Sequence, residues 1–433
     1  MKRVKLTYKI ILFILIFYGT ESIFYYAAHN DTDSISRVMM YEMYHQDKNI
    51  DVLFSGASHV QLSFDTAIAD QNFQMNTFNA GSSAQSLQAT DAIIREVANQ
   101  YDLKQVYVDL DYSVVMRDEV NLESIYAVSD YMRPSLNKVA FLLHATPARY
   151  YINSFLPLGQ GKTLVHNPKE VLTILKKKSS YNYRNHISDV DSYMGKGYIA
   201  SHVYLSGSGF VQTGDFDTIP SEIPKEQKDT LNDIIDFCKQ RNIHLTFITT
   251  PMSDFTLTGI GNYDAYMDQI RNFLQGRGVS YYDFNLCKPE LLDLEGIQYY
   301  TDDNHLNRDG ASLFSEVFAK FFTGKIQERE LFYSSYREKT DAQTSRVYGF
   351  CVQDDGSRLS VDPVWNHDIP KLTYTYAFDD GPETDSPEYQ SGTSGTVEIR
   401  AYAGGEELCS AFYSYGSSGE TEKLDVTAGA EDK

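Results

Sequence analysis

The sequence has little positive charge. Lysine and arginine together number 38 against 59 aspartate and glutamate residues, so the 433-residue chain has a formal net charge of -21. Beyond the first residues, the basic cluster is the short run Lys176-Lys177-Lys178. A surface that binds nucleic acid needs a broad field of basic side chains to neutralise phosphates. The composition therefore argues against DNA or RNA as a partner.

Cysteine is also scarce, and its spacing is not that of a metal site. The four cysteines form no CxxC pair. The loop 302–310 is rich in oxygen-bearing side chains, but Leu306 interrupts the alternation that a calcium loop requires. We therefore expect neither a bound metal ion nor a cofactor.

A location outside the cytoplasm would permit disulfides between these cysteines. Cys351 and Cys409 share the C-terminal segment and could pair. Cys238 lies in a helical pattern and is predicted to be a buried thiol.

The chain does contain a long apolar segment near its start. A basic head, Met1-Lys2-Arg3-Val4-Lys5, precedes a segment from Ile10 to Ala28, which is close to the roughly 20 residues that a helix needs to cross a membrane. Glu21 would then lie near the outer interface. Tyr26 is bulky where a signal-peptidase site needs a small residue, so we favour an uncleaved anchor.

The positive head sets the predicted topology. Because basic residues stay on the cytoplasmic side, everything after about residue 28 is expected outside the membrane. Residues 1–28 are accordingly predicted to be the head and signal anchor, and residues 29–50 a juxtamembrane linker.

Strand and helix patterns alternate over residues 51–325. This rhythm predicts an α/β fold with a doubly wound, mainly parallel sheet. A long insertion interrupts it at about 113–224. The predicted strands are 51–56, 76–78, 105–110, 244–249 and 279–284, and the predicted helices are 84–99, 227–242, 264–275 and 308–323, with a further helical patch at 168–178.

The composition changes after residue 330. Alternating runs such as 372–376 and 396–402, separated by glycine-containing turns, predict a small β-rich domain over residues 330–433. Its tyrosines could bind glycan or simply pack, and packing is the usual role of a tyrosine on a strand.

Three residues suit nucleophilic catalysis. Ser58 follows the first predicted strand, where ligands of parallel sheets gather. A serine hydroxyl needs a base to take its proton and a carboxylate to orient that base. Asp302 and His305, three residues apart in one loop before the last helix, can supply both.

The order of these segments resembles the SGNH, or GDSL-like, hydrolases. Ser55-Gly56-Ala57-Ser58-His59 resembles the first block of that family, Asn79-Ala80-Gly81 its glycine block, and Asp302-Asp303-Asn304-His305 its final block. The resemblance covers about residues 51–325 and implies a flavodoxin-like catalytic body.

The resemblance also implies roles for the matching residues. Ser58 would attack an ester carbonyl, His305 would act first as base and then as acid, and Asp302 would fix the imidazole. The backbone amides of Ser58 and Gly81 would form the oxyanion hole.

The match is closest to membrane-anchored bacterial members of the family. Ser63-Phe64-Asp65 and Lys196-Gly197-Tyr198 look like segments of those proteins. The resemblance implies a serine esterase or O-acyltransferase that acts on acyl esters of a cell-surface polysaccharide or cell-wall polymer. An integral-membrane O-acyltransferase would be its partner.

The third block departs from the family. Where relatives supply an asparagine as an oxyanion donor, this chain has Asp109-Leu110-Asp111-Tyr112. Tyr112, Asn304 or another group would have to substitute, or the oxyanion hole is weaker. The alternative function is a catalytically weak or inactive SGNH scaffold that binds glycan at the cell surface. His59, next to the serine, is predicted to be structural, with its side chain directed elsewhere.

Overall fold

A computed structural model of the chain describes residues 2–118, 120–156, 165 and 167–416, with side chains from Leu6 onward. The strands are β1 Val52–Gly56, β2 Thr77–Gly81, β3 Gln105–Asp109, β4 Asp191–Gly195, β5 Tyr198–Ser201, β6 Phe210–Thr213, β7 His244–Thr249, β8 Ser280–Asp283, β9 Val347–Asp354, β10 Leu359–Trp365, β11 Thr373–Phe378, β12 Gly395–Ala403 and β13 Glu406–Tyr415.

The helices alternate with these strands along the sequence. They are α1 Lys2–Ala28, α2 Ile35–Tyr44, α3 Ser58–Ser63, α4 Thr66–Phe73, α5 Leu87–Gln100, α6 Tyr112–Val115, α7 Leu122–Ser129, α8 Leu136–Ala145, α9 Tyr151–Phe155, α10 Pro168–Lys178, α11 Tyr181–Asn185, α12 Lys225–Arg241, α13 Asp254–Ile260, α14 Tyr263–Leu274, α15 Arg308–Phe322, α16 Glu328–Leu331 and α17 Tyr336–Ala342. Short 3₁₀ turns lie at Ala148–Tyr150, Phe284–Leu286 and Ile297–Tyr299.

The predicted α/β architecture with a parallel sheet is confirmed. Five strands form the sheet in the order β2-β1-β3-β7-β8, and β1 pairs in parallel with both β2 and β3. Numbered within this sheet alone, the order is 2-1-3-4-5, which is one of the two common doubly wound orders. All five residues of β1 are buried, as expected for a strand covered on both faces.

The second strand is longer than the sequence pattern predicted. Residues 79–81 were expected in the turn, but they continue β2, with Asn79 opposite Phe54 and Gly81 opposite Gly56. Small residues at both strand ends allow this close pairing, which a hydrophobicity pattern alone does not reveal.

The N-terminal helix is long and apolar enough to be a membrane anchor or a signal sequence. Its candidate spanning segment, Leu6–Ala28, has 23 residues. The side chains of residues 6–20 are exposed, whereas Glu21 is buried.

The chain divides into two compact units. The first comprises Met1–Gln61, Gln74–Ile199 and Pro224–Phe247, and the second comprises Leu62–Phe73, Ala200–Ile223 and Ile248–Lys433. The segment boundaries that the sequence suggested stay predictions, and residues 417–433 of the predicted C-terminal domain lie outside the described residues.

The predicted C-terminal β-rich region contains two three-stranded sheets, β10-β9-β6 and β11-β12-β13. Strand β6 comes from within the predicted insertion and pairs in parallel with β9. The buried apolar core of this region includes Phe350, Val352, Val397, Ile399 and Cys409.

The suggested pairing of Cys351 with Cys409 is wrong, since both are free thiols. Cys409 is buried in the core, whereas Cys351 lies between the core residues Phe350 and Val352 on β9 and therefore points to the opposite face of the strand. Cys238 is a buried thiol, as predicted.

Candidate active site

Ser58 begins helix α3 immediately beyond the carboxyl end of β1. It is the single partly exposed residue between Val52 and Gln61. A Cβ at Gly56 would lie 2.6 Å from Val60 Cγ2, so the tight turn that leads from β1 to α3 requires glycine. The local sequence therefore exposes the serine on an otherwise buried segment.

Asn79 of β2 braces the helix that carries Ser58. Its side-chain nitrogen donates to the carbonyl oxygen of Val60 at 2.8 Å, and its Oδ1 accepts the amide of Gly81 at 3.0 Å. A Cβ at Gly81 would lie 2.5 Å from the nitrogen of Gln61, so the two loops touch through backbone. The predicted role of the Gly81 amide in an oxyanion hole stays a prediction, because here that amide donates to Asn79.

A buried polar network secures the loop that follows β2. The Oγ of Ser82 donates to Oε1 of Gln85 at 2.8 Å, and Nε2 of Gln85 donates to Ser55 Oγ at 3.2 Å and to Thr90 Oγ1 at 3.0 Å. All four side chains are buried. Satisfied buried networks of this kind hold one geometry, since breaking a member leaves a desolvated polar group.

His59 is buried and held by a carboxylate from the loop after β3. Its Nδ1 lies 3.0 Å from Oδ2 of Asp111, and Asp111 also accepts the amide and the hydroxyl of Ser113 at 2.9 and 2.7 Å. Burial alone raises the pKa of Asp111, but attraction to His59 and these hydrogen bonds outweigh it and lower the pKa to about 2. The interaction joins the segments that follow two neighbouring strands, β1 and β3.

Sequence reasoning missed this pair. Asp111 was noted only as a departure from the asparagine of the family, and His59 only as a structural neighbour of the serine. The usable signal was position, since two ionisable residues that follow adjacent parallel strands lie at the same sheet edge.

In the second unit, Asp302 and His305 form a direct pair. The His305 Nδ1 lies 3.0 and 2.9 Å from the two carboxylate oxygens of Asp302. The backbone amides of Asn304 and His305 also donate to Asp302 Oδ1, both at 2.8 Å. Burial raises the pKa of Asp302, but the hydrogen bond and the attraction from His305 outweigh it and lower the pKa below its usual value.

This geometry suits a general base. A carboxylate at Nδ1 keeps the proton on that nitrogen and leaves Nε2 with the lone pair. The His305 side chain is 22% exposed and that of Asp302 50%, so solvent and small molecules can reach the pair.

The loop that carries the pair is closed by backbone contacts. The amide of Thr301 donates to the His305 carbonyl at 2.9 Å, and Asn307 donates to the Gln298 carbonyl at 2.7 Å while capping α15. A Cβ at Gly310 would lie 2.3 Å from the carbonyl oxygen of Tyr299, so the first turn of α15 lies directly against the loop.

Asp303 attaches the same loop to the residues that follow β7. Its carbonyl accepts the hydroxyls of Ser253 and Thr256, the latter at 2.9 Å. Burial and the neighbouring charge of Asp302 raise the pKa of Asp303. Asn304, one suggested oxyanion donor, donates to Asp303 at 3.2 Å, and its substitute role stays a prediction.

The Ser-Phe-Asp segment packs onto α15 within the second unit. The Asp65 amide donates to Ser315 Oγ at 2.8 Å, and that hydroxyl donates to the Ser63 carbonyl at 3.0 Å. The Phe64 ring contacts Phe314 and Phe318 edge-on, with centroids 5.1 and 4.9 Å apart. The segment therefore supports the helix that follows the Asp302–His305 loop.

The structure thus brings Asp302 and His305 together in one unit and places Ser58 in the other. The complete triad stays a prediction. In the described part of the chain, no group of three or more His, Cys, Asp or Glu residues is arranged to hold a metal ion.

Comparisons with known proteins give matches among solved structures alone. No family model matches the chain, and no curated protein matches it. A solved structure from Streptococcus pneumonia, described as a “putative platelet activating factor”, is similar at 9% sequence identity with a TM-score of 0.31. That match covers 72% of this chain and 96% of the other, and values this low assign no function.

Proposed function

We propose that the chain is an SGNH-type serine esterase or O-acyltransferase with Ser58, His305 and Asp302 as its triad. The observation that carries the proposal is the Asp302–His305 pair, in which Nδ1 is within 3.0 Å of both carboxylate oxygens. A serine hydrolase requires an accessible imidazole oriented in this way, because the base must be held in one tautomer and one orientation.

The position of Ser58 supports the proposal independently. In a sheet ordered 2-1-3-4-5, ligands bind where the strand order reverses, outside the carboxyl ends of the first and third strands. Ser58 follows β1 and is partly exposed among buried neighbours.

The proposed reaction has two halves. His305 Nε2 takes the Ser58 proton as Oγ attacks the ester carbonyl, and the imidazolium then protonates the departing alkoxide. Asp302 stabilises that imidazolium. In the second half, His305 removes a proton from water or a sugar hydroxyl as that oxygen attacks the acyl carbonyl, and the imidazolium then returns the proton to Ser58 Oγ as its bond to the acyl group breaks.

The proposal includes a location and a substrate class. Residues 1–28 anchor the chain, residues 51–325 form the catalytic body outside the membrane, and residues 330–433 form an appended β-rich domain. The acyl ester belongs to a cell-surface polysaccharide or cell-wall polymer, and an integral-membrane O-acyltransferase is the proposed acyl source. Support for the anchor is the apolar, exposed segment of α1.

A fluorophosphonate probe tests the nucleophile. The full chain in detergent should be labelled and should hydrolyse an aryl acetate, and Ser58→Ala should abolish both. Ser312→Ala, which removes a partly exposed hydroxyl from α15, is the matched control and should retain both.

Labelling and turnover that persist in Ser58→Ala, or are absent from a folded unsubstituted chain, would contradict the enzyme proposal and favour the glycan-binding scaffold. Adding an acceptor sugar to the same assay separates acyl transfer from hydrolysis. Transfer gives an acylated sugar, whereas hydrolysis gives the free acid alone.

A further inference from the structure

Helix α10 contacts the carboxyl end of the proposed anchor helix. The Nζ of Lys178 donates to the carbonyl oxygen of Tyr26 at 2.7 Å and lies 3.0 Å from a carboxylate oxygen of Asp31. The Lys178 side chain is 2% exposed. Because the last carbonyls of a helix carry partial negative charge, this buried ammonium caps α1, which has no basic residue of its own in its last turn.

Further contacts join α10 and α11 to the end of α1 and the residues that follow it. The amide of Val165 donates to the Ala28 carbonyl at 2.8 Å. On α11, the hydroxyl of Tyr183 donates to Asp31 at 3.3 Å, and the guanidinium of Arg37 lies over the Tyr183 ring at 3.4 Å. The helix pair is therefore tied to the point where the anchor ends.

The outward surface of this helix pair carries three large apolar side chains among exposed polar ones. Leu172 and Tyr181 are 67% and 69% exposed, and Leu175 is 36% exposed. On α10, Leu172 and Leu175 lie one turn apart on the same side, away from the buried Ile174, and the exposed Lys176 follows directly. We call Leu172, Leu175 and Tyr181 the apolar patch.

The length of α1 determines the depth of this patch. The exposed apolar side chains of the anchor run from Leu6 to Tyr26, because Ile23 and Phe24 beyond the buried Glu21 are also exposed, and this stretch is about 30 Å long at 1.5 Å per residue. A hydrocarbon core is about 30 Å thick. When Leu6 lies at the inner boundary of the hydrocarbon, Tyr26 therefore lies at its outer boundary. Because Lys178 donates to the Tyr26 carbonyl, the end of α10 lies at this boundary, next to the headgroups.

We infer that the apolar patch lies in the outer interface of the lipid bilayer and forms a second membrane contact beside the anchor. Leucine and tyrosine side chains enter the boundary between headgroups and acyl chains, while Lys176 and Lys177 reach the phosphates. A single membrane helix lets the rest of the protein tilt about the point where α1 leaves the bilayer. A second contact with the membrane limits that tilt. This inference rests on the anchor assigned above.

Tryptophan quenching by brominated phosphatidylcholine tests the placement. The full chain is reconstituted in phosphatidylcholine vesicles with and without bromine on the acyl chains, and the emission of the native Trp365 is subtracted. Leu172→Trp should lose emission in the brominated vesicles and shift to shorter wavelength. Leu313→Trp, at an exposed leucine on α15 that is not part of the apolar patch, is the control and should keep its emission.

A third variant separates the two proposals. Phe13→Trp, in the middle of the exposed anchor segment, should also be quenched. Quenching of Phe13→Trp without quenching of Leu172→Trp overturns the membrane contact and leaves the anchor. Absence of quenching at Phe13→Trp overturns the anchor and, with it, this inference.

Discussion

At the scale of single residues, His59 and His305 each hold an aspartate through Nδ1, but in opposite surroundings. His305 and Asp302 are three residues apart on an accessible loop, whereas His59 and Asp111 are separated by 52 positions and buried. An accessible imidazole can exchange protons with a substrate. A buried one beside an ionised carboxylate contributes to the stability and local geometry of the Ser58 segment instead.

Replacing Asp302 with asparagine should remove activity without unfolding the protein. The amide can still accept the backbone hydrogen bonds, but it no longer stabilises the imidazolium or enforces the tautomer. We expect turnover to fall by about 10⁴-fold, as in other serine triads, with little change in the Tm. Asp309→Asn, at an exposed aspartate at the start of α15, is the control. Comparable turnover in the two variants would exclude Asp302 from the triad.

Replacing Asp111 with asparagine should destabilise the protein in a pH-dependent way. The folded pKa of about 2 lies below the ordinary value of 3.8, so the carboxylate stabilises the fold by about 2 kcal/mol at neutral pH. That contribution is present above about pH 4 and is lost as the pH falls towards 2. The Tm difference between Asp111→Asn and the unsubstituted chain should therefore shrink over this range.

An exposed aspartate gives the reference for that measurement. Asp118→Asn should follow the unsubstituted chain at every pH. A Tm difference for Asp111→Asn that stays constant from pH 7 to pH 2 would count against the ionised pair.

At the scale of secondary-structure elements, the turn between β4 and β5 contacts Asn79, the residue of β2 whose side chain holds helix α3. Gly197 has a φ of +82°, and a Cβ there would lie 1.6 Å from the carbonyl oxygen of Asn79. The amide of Asn79 donates to the Lys196 carbonyl at 2.8 Å. The Lys-Gly-Tyr segment thus contacts the strand residue whose side chain holds the end of the Ser58 helix.

Gly195, the last residue of β4, and Gly197, in the turn itself, allow a matched test. Gly195 also has a positive φ, +97°, but the nearest atom to its Cβ position is 3.9 Å away. Gly195→Ala should cost only the left-handed backbone strain, about 1–2 kcal/mol. Gly197→Ala should cost about 1–3 kcal/mol more, because Asn79 must move, and it should also slow fluorophosphonate labelling. Equal Tm values for the two variants would contradict the proposed contact.

At the scale of the whole molecule, the thiols contribute as apolar groups and not as cross-links. All four cysteines are free. Burial raises the pKa of Cys351 to about 11 and the pKa values of Cys238 and Cys409 to about 12. Such thiols are rarely ionised near neutral pH and react slowly.

Mass spectrometry after alkylation checks the redox state of the chain. The unfolded, unreduced protein should take up four iodoacetamide labels, and the folded protein should be labelled slowly and first at the partly exposed Cys351. Reductant should leave the Tm unchanged. Two labels or fewer in the unfolded chain would show that disulfides form.

Local sequence determined much of the molecule. The apolar N-terminal helix, strand β7, helix α10 and the close pairing of Asp302 with His305 all follow from neighbours within a few positions, because hydrophobic periodicity and a short i,i+3 spacing are encoded locally. The parallel sheet follows from the alternation of such segments.

Tertiary structure alone decided the contacts between distant segments. His59 meets Asp111, Asn79 braces α3, and β6 joins β9 because parallel strands set a register across long connections, and no local pattern encodes that register. Cys351 and Cys409 do not pair for the same reason. The register of their strands directs the Cys409 side chain into the core and the Cys351 side chain away from it. The sequence thus determined the individual elements and the chemistry of single residues, whereas strand register decided which side chains meet.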